Sequence, residues 1–225
     1  MITVKINGEE RQYPQGATYE DVANDYQKEY DNLIALAARD GKIRELFKKL
    51  TRDCEITFFT LKDDVGNKTY VRSATMLFLK AVFDVFGRET VQNCRVEFAI
   101  GNGSYISPKG KINATEENAA KIRNRMRELV EAKTPFLKKS YSLDNAMELF
   151  RREGMKDKEK LFRYRRGSFV NIYEMDGYYD YYYGYMLPNA GYVKWFDVIA
   201  YEDGFMLLLP DKKNPTHVKP FQAVS

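Results

Sequence analysis

At 225 residues, 44 % hydrophobic and 30 % charged, the chain can bury one large core or two modest ones and does not read as a disordered polymer. Its net charge of +4 permits nucleic-acid contact without requiring it. Two cysteines (Cys54, Cys94) are too few for a disulfide framework, one histidine (His217) excludes two-histidine zinc sites, and no apolar run approaches the roughly 18 residues of a membrane span. The first residues run straight into strand-like alternation rather than a signal peptide, so a cytoplasmic protein with reduced thiols and no membrane partner is expected.

Residues 2–6 alternate as a strand, Asn7-Gly8 supplies the positive-φ pair of a type I′ hairpin, and residues 10–13 return. Thr18 starts a helix with Asp21 in a capping-box position, and Val22, Tyr26 and Tyr30 mark its apolar stripe. A buried strand over 33–37, a turn at Asp40-Gly41 and a closing strand over 54–59 complete the order of a β-grasp, ubiquitin-like unit at residues 1–62. The polar stretch 61–69, with Gly66-Asn67, reads as a linker.

A second α+β unit is expected over 70–210. Residues 73–86 read as a helix stopped at Gly87, and 95–100 as a strand followed by the turn Gly101-Asn102-Gly103 and a return strand at Tyr105-Ile106. Thr115 caps a helix to about Lys133 with Ile122, Met126 and Leu129 inward. Residues 136–141 read as a strand, Ser142 starts a helix ended by Gly154, and 156–166 form a charged helical turn or two. Strands over 169–173, 178–185, 194–201 and 205–209 are expected to share one antiparallel sheet, with 211–225 as a polar tail.

Between Tyr178 and Tyr185 stand six tyrosines in eight residues. Tyrosine suits a pleated, half-buried surface. As a strand the run places Tyr179, Tyr181, Tyr183 and Tyr185 on one face, and Tyr178, Asp180, Tyr182, Gly184 and Met186 on the other.

The order of elements, with Arg72-Ser73-Ala74-Thr75-Met76 opening an apolar helix, resembles the N-terminal half of threonyl-tRNA synthetases, in which a TGS domain precedes an editing domain, also called the second additional domain. Phe98-Ala99-Ile100-Gly101-Asn102-Gly103-Ser104-Tyr105 resembles that family's Gly-x-x-x-x-Asn-Gly-Phe-Tyr-Tyr region, with an alanine near the usual first glycine. Asn171-Ile172-Tyr173, Asp180 and Gly191-Tyr192-Val193-Lys194-Trp195-Phe196 are similar to its C-terminal strands.

The resemblance implies an editing site built from His-x-x-x-His on the helix and Cys-x-x-x-His on a late strand, a water-activating or metal-type cluster. Those positions fall on Arg72, Met76, Tyr182 and Met186, all four replaced. Arginine is neither ligand nor base at neutral pH, and methionine is a poor ligand for hard metals. The site is therefore expected to hold no metal and to be inactive as the family uses it.

The tyrosine-rich strand and the Pro188–Gly191 turn look like those of bacterial uridine-kinase-like proteins, which carry a TGS domain and a synthetase-like unit ahead of a P-loop kinase domain. This chain has no P-loop: the nearest match, Gly110-Lys111, has Tyr105 in place of the earlier glycine and Ile112 after the lysine. The resemblance thus implies a non-catalytic accessory region of a uridine kinase, partnered by a kinase domain that would supply the ATP and Mg chemistry. The alternatives are a tRNA-editing deacylase module or an RNA-binding module.

At the degenerate cleft, Arg72 and Tyr182 could hold an anion or nucleotide, but infilling by Met76, Tyr182 and Met186 is the favoured reading. Asp180 could orient Arg72 through a salt bridge. Of the basic clusters Lys138-Lys139, Arg151-Arg152 and Arg163-Tyr164-Arg165-Arg166, the last is the best nucleic-acid candidate, but Asp157, Glu159 and Glu148 dilute its field and a solvated helix face is the default reading. The all-tyrosine face is expected to pack on a helix rather than stack bases.

Overall fold

The computed structural model describes residues 1–222. The chain is α+β. Its first part is a mixed five-stranded sheet in the order β2-β1-β5-β3-β4, built from β1 (Ile2–Ile6), β2 (Glu9–Tyr13), β3 (Ile34–Arg39), β4 (Lys42–Glu45) and β5 (Cys54–Thr60). β1 runs parallel to β5, and the other neighbours are antiparallel. Asn7 and Gly8 both take positive φ, as do Asp40 and Gly41, so both expected tight turns form.

Helix α1 (Tyr19–Tyr26) buries Tyr19, Val22, Ala23 and Tyr26 on this sheet, and Thr18 and Asp21 form the reciprocal capping box. The helix ends before Tyr30. The Gln27 side chain donates to the Asn32 carbonyl and accepts from the Ile34 amide, which turns the chain into β3.

The stretch 61–69 is no linker. Helix α2 (Asp64–Phe86) follows β5 after a three-residue connection and begins nine residues earlier than its apolar pattern suggests. Asp63 is its N-cap residue, and its carboxylate accepts from the Thr60 amide at 2.7 Å. Gly66 is a packing residue rather than a turn residue: a Cβ there would collide with the Thr60 carbonyl. Gly66→Ala is therefore expected to destabilise by about 1–3 kcal/mol through overpacking, outweighing alanine's helix propensity of about 1 kcal/mol. Urea denaturation of the two proteins measures this.

The late strands divide between two sheets, contrary to the single sheet expected. β6 (Arg95–Ile100), β7 (Gly103–Ser107), β11 (Asp197–Tyr201) and β12 (Gly204–Leu208) form an antiparallel sheet in the order β11-β12-β7-β6. β8 (Leu137–Ser142), β9 (Phe169–Met175) and β10 (Tyr178–Asp180) form the second, in the order β10-β9-β8. The main core gathers apolar residues of α2, of α4 (Glu116–Glu131) and of the strands, including Leu77, Phe78, Ile122, Met126 and Phe205. The short helix α3 (Arg88–Asn93) follows Gly87. A satellite core under α5 (Leu143–Arg152) and α6 (Lys156–Arg163) joins Phe150 and Phe162 to Val170 and Ile172 of β9.

The tyrosine run is a strand only as far as Asp180. There the carboxylate turns back to accept from the Tyr181 amide at 2.7 Å, and the chain leaves the sheet toward Gly184, whose φ is +137°. Four tyrosines therefore do not share one strand face. Tyr179 and Tyr181 pack on the satellite core, whereas Tyr183 is 88 % exposed.

Of the expected tail at 211–225, residues 223–225 lie outside the described residues. The described part folds back: Phe221 packs edge-on against Tyr201, and Lys219 pairs with Asp211 at 2.7 Å. Among the described residues no helix is long and apolar enough to cross a membrane.

Candidate functional site

Helix α2 presents Arg72, Thr75 and Leu79, at helical spacing, to a cleft of about 410 Å³ closed on its other side by Asp157, Lys158 and the Asp180–Tyr182 segment. A neighbouring cavity of about 600 Å³ shares Leu79, Cys94, Arg95, Lys158 and Asp180, so the groove continues past α3 toward Arg88 and Glu153.

The structure brings Arg72, Asp180 and Tyr182 to this cleft but not the two methionines. Met76 and Met186 are fully buried in the main core, with Met186 Sδ 3.9 Å from Ser73 Oγ. Ser73, which sequence reasoning passed over, donates to the Thr69 carbonyl at 2.8 Å and accepts from the Leu187 amide at 3.0 Å. It ties the segment after the tyrosine run to α2.

Arg72 lies across the backbone at Gly184, where any side chain would overlap its guanidinium, and donates through Nη1 to the Tyr185 carbonyl at 2.6 Å. Burial pulls its pKa below the ordinary value, opposed by the neighbouring Tyr173 and Glu45.

Asp180 does not pair with Arg72. Only 4 % exposed, it is bonded to Lys158 Nζ at 2.7 Å, and it accepts from Tyr178 OH at 2.7 Å, from Tyr182 OH at 3.3 Å and from the Tyr181 amide. Lys158 sits in the charged helix α6, where nothing in the sequence marks it as Asp180's partner. With its lone pairs committed, Asp180 is a structural anchor rather than a free base.

The remaining polar groups are equally quiet. Burial and the Asp180 carboxylate push the Tyr182 and Tyr178 hydroxyls far above their ordinary pKa, so both stay protonated at neutral pH. Burial pushes the Cys94 thiol up to about 12, which removes it as a thiolate nucleophile. Among the described residues no group of three or more His, Cys, Asp or Glu side chains could hold a metal ion. A guanidinium, a phenol and two core thioethers do not fit a zinc site.

Behind the cleft stands a residue that sequence reasoning missed entirely. Glu45, at the end of β4 in the first sheet, is 2 % exposed and reaches into the second unit. It accepts from Lys138 Nζ at 2.6 Å, Tyr173 OH at 2.7 Å and the Met186 amide at 2.9 Å. The β-grasp unit thus holds the backbone that carries the cleft wall. Tyr192 makes a second tie, donating to Glu20 of α1 at 2.5 Å.

The basic cluster is not one helix face. Helix α6 ends at Arg163, which approaches Glu159 at 3.9 Å. Tyr164 is 84 % exposed. Arg165 folds back over the rings of Phe162 and Tyr181 and donates to Tyr181 OH at 3.2 Å, while Arg166 is exposed.

The chain is similar to threonine-tRNA ligases along nearly its whole length. It is 29 % identical to that of Thermotoga maritima over 95 % of this chain and 32 % of the relative. It is 28 % identical to that of Maricaulis maris over 85 % of this chain and 30 % of the relative, and 23 % identical to that of Porphyromonas gingivalis over 86 % and 30 %. The chain therefore spans about a third of the length of these curated relatives. No model of a known protein family matches it. These similarities are consistent with a synthetase-like N-terminal region, and nothing in them bears on attachment to a uridine kinase.

Proposed function

We propose that this chain is a threonyl-tRNA-synthetase-type N-terminal module, a β-grasp unit joined to an editing-like unit, whose cleft binds without hydrolysing. The similarity to threonine-tRNA ligases over 85–95 % of the chain in the relatives described supports the module type. One observation carries the loss of hydrolysis. The four positions of the family's donors hold a guanidinium tied to a carbonyl, a protonated phenol and two fully buried thioethers, so no group is left to activate a water. What remains is Arg72, with no ion pair among the described residues, beside tyrosine rings, while Arg95 and Lys158 are paired with Asp157 and Asp180; one such guanidinium suits an anionic or nucleotide ligand.

A deacylation assay with mischarged threonine-specific tRNA tests this. Hydrolysis at the buffer rate is the expected result, and protein-dependent release of the amino acid overturns the reading. A thermal-shift screen with nucleosides, nucleotides and aminoacyl-adenosine analogues tests the binding half.

The finer placement, ahead of a P-loop uridine kinase domain in a cytoplasmic protein, rests on the tyrosine-rich run and the turn at 188–191. Reading the gene beyond Ser225 decides it: a Walker A motif supports that placement, and a class II synthetase core removes it.

A further inference from the structure

The outer side of the tyrosine segment carries a second concavity, of about 360 Å³, that shares only Tyr181 and Tyr182 with the cleft. Its wall is formed by β9 and by the chain that leaves the sheet after Asp180. Phe169 and Tyr183 line it, and both rings are largely in solvent, at 66 % and 88 % exposure. Such rings are expensive to leave uncovered, and here they stand around one hollow rather than scattered.

The charge around this hollow has one sign. Lys138 and Arg165 line it, and no carboxylate does. Lys138 is largely neutralised by Glu45 beneath it. Arg165 forms no ion pair among the described residues and is held at the rim by the Phe162 and Tyr181 rings and the Tyr181 hydroxyl. Asn171, also in the lining, adds an amide able to donate and accept. Arg166 and the exposed Tyr164 extend the same chemistry along the chain beyond α6.

We infer that this hollow is a binding site for unpaired RNA, with bases stacked on Tyr183 and Phe169 and a backbone phosphate on Arg165. Open aromatic faces accept any unpaired base, and a cationic rim with no carboxylate tracks the backbone. A duplex offers no free base faces and fits poorly. The choice of RNA over DNA rests on the synthetase-type reading; the rings and the arginine that would hold the nucleic acid, Tyr183, Phe169 and Arg165, lie outside the cleft.

Fluorescence anisotropy with labelled octaadenylate and octauridylate, on the whole chain, tests the inference. Tyr183→Ala and Phe169→Ala are each expected to weaken binding by roughly five- to a hundredfold, the range for loss of one stacked base. Arg165→Ala should flatten the dependence of log affinity on log salt by about 0.7, the value for one single-strand phosphate contact. Arg95→Ala, which lines the cleft but not the hollow, should leave oligonucleotide affinity unchanged.

Tyr183 is exposed enough that its variant should keep the parent melting temperature, so a loss of binding cannot be ascribed to unfolding. Absence of oligonucleotide binding, affinity unchanged in the two ring variants, or equal affinity for a duplex or for a mononucleotide would each overturn the inference. Binding lost in Arg95→Ala but kept in Tyr183→Ala would place the nucleic acid in the cleft and overturn it too, leaving the deacylation result standing on its own.

Discussion

Glu45→Ala is expected to lower stability by about 3–5 kcal/mol, the usual cost of breaking a buried ion pair from one side. For a chain of this size the drop in melting temperature is on the order of 10 °C. The loss has three parts. Lys138 keeps a charge in a mostly buried place without its partner, and the Tyr173 hydroxyl and the Met186 amide lose their acceptor.

Glu45→Ala combined with Lys138→Met should recover part of the loss, because the stranded cation is gone. Lys138→Met alone should cost less than Glu45→Ala, since Glu45 keeps two donors. Urea denaturation followed by the fluorescence of the single tryptophan, Trp195, reads all three variants; the Trp195 backbone is bonded in both directions to the Tyr70 hydroxyl of α2. A Glu45→Ala protein within about 1 kcal/mol of the parent, far below the cost of a broken buried pair, would mean that the first sheet does not hold the cleft wall.

Asp180→Ala should have an effect of similar size, again about 3–5 kcal/mol. This carboxylate is shared by a lysine, two hydroxyls and an amide, and water cannot easily replace it at 4 % exposure. Asp180→Asn should cost distinctly less. The amide oxygen can still accept from the Tyr181 amide, and the tyrosine hydroxyls can turn to accept from the new NH₂ group; only the Lys158 charge is left without its counter-ion.

The two substitutions separate two roles. A catalytic carboxylate would lose activity equally in both variants, whereas an anchor loses stability in proportion to the bonds removed. Thermal denaturation of the two variants beside the parent gives the comparison.

The difference between the legible and the illegible parts of this chain has a physical pattern. The turns at Asn7-Gly8 and Asp40-Gly41, the capping box of Thr18 and Asp21, and the cap of α4 by Thr115 all rest on interactions within a few residues. Local sequence is enough to specify them. The start of α2 was hidden because Asp64, Gly66 and Asn67 have turn-like chemistry by themselves. What makes this stretch helical is the burial of Thr69, Tyr70 and Ser73, together with a glycine that lets the first turn lie on the Thr60 carbonyl.

The tyrosine run failed as a strand for a related reason. Tyrosine's β propensity is uniform along it, but pairing with β9 ends at Asp180, where a side-chain bond to the next amide replaces the ladder.

The candidate site shows the same division. Sequence alone determined that one histidine and two cysteines are all the chain offers of those residue types, and that Arg72, Met76, Tyr182 and Met186 bring neither an imidazole nor a thiol, because residue identity settles which groups can ligate or take a proton. It also determined the β-grasp order and the α+β class.

Tertiary structure alone decided where the replacements stand: Arg72 and Tyr182 on the cleft wall, Met76 and Met186 in the core, and Asp180 bound to Lys158 rather than to Arg72. It decided as well that Glu45, 141 residues before Met186, holds that wall from the first unit. Contacts between residues so far apart in the chain leave no periodic trace in either segment, since each depends on how distant parts of the chain pack together.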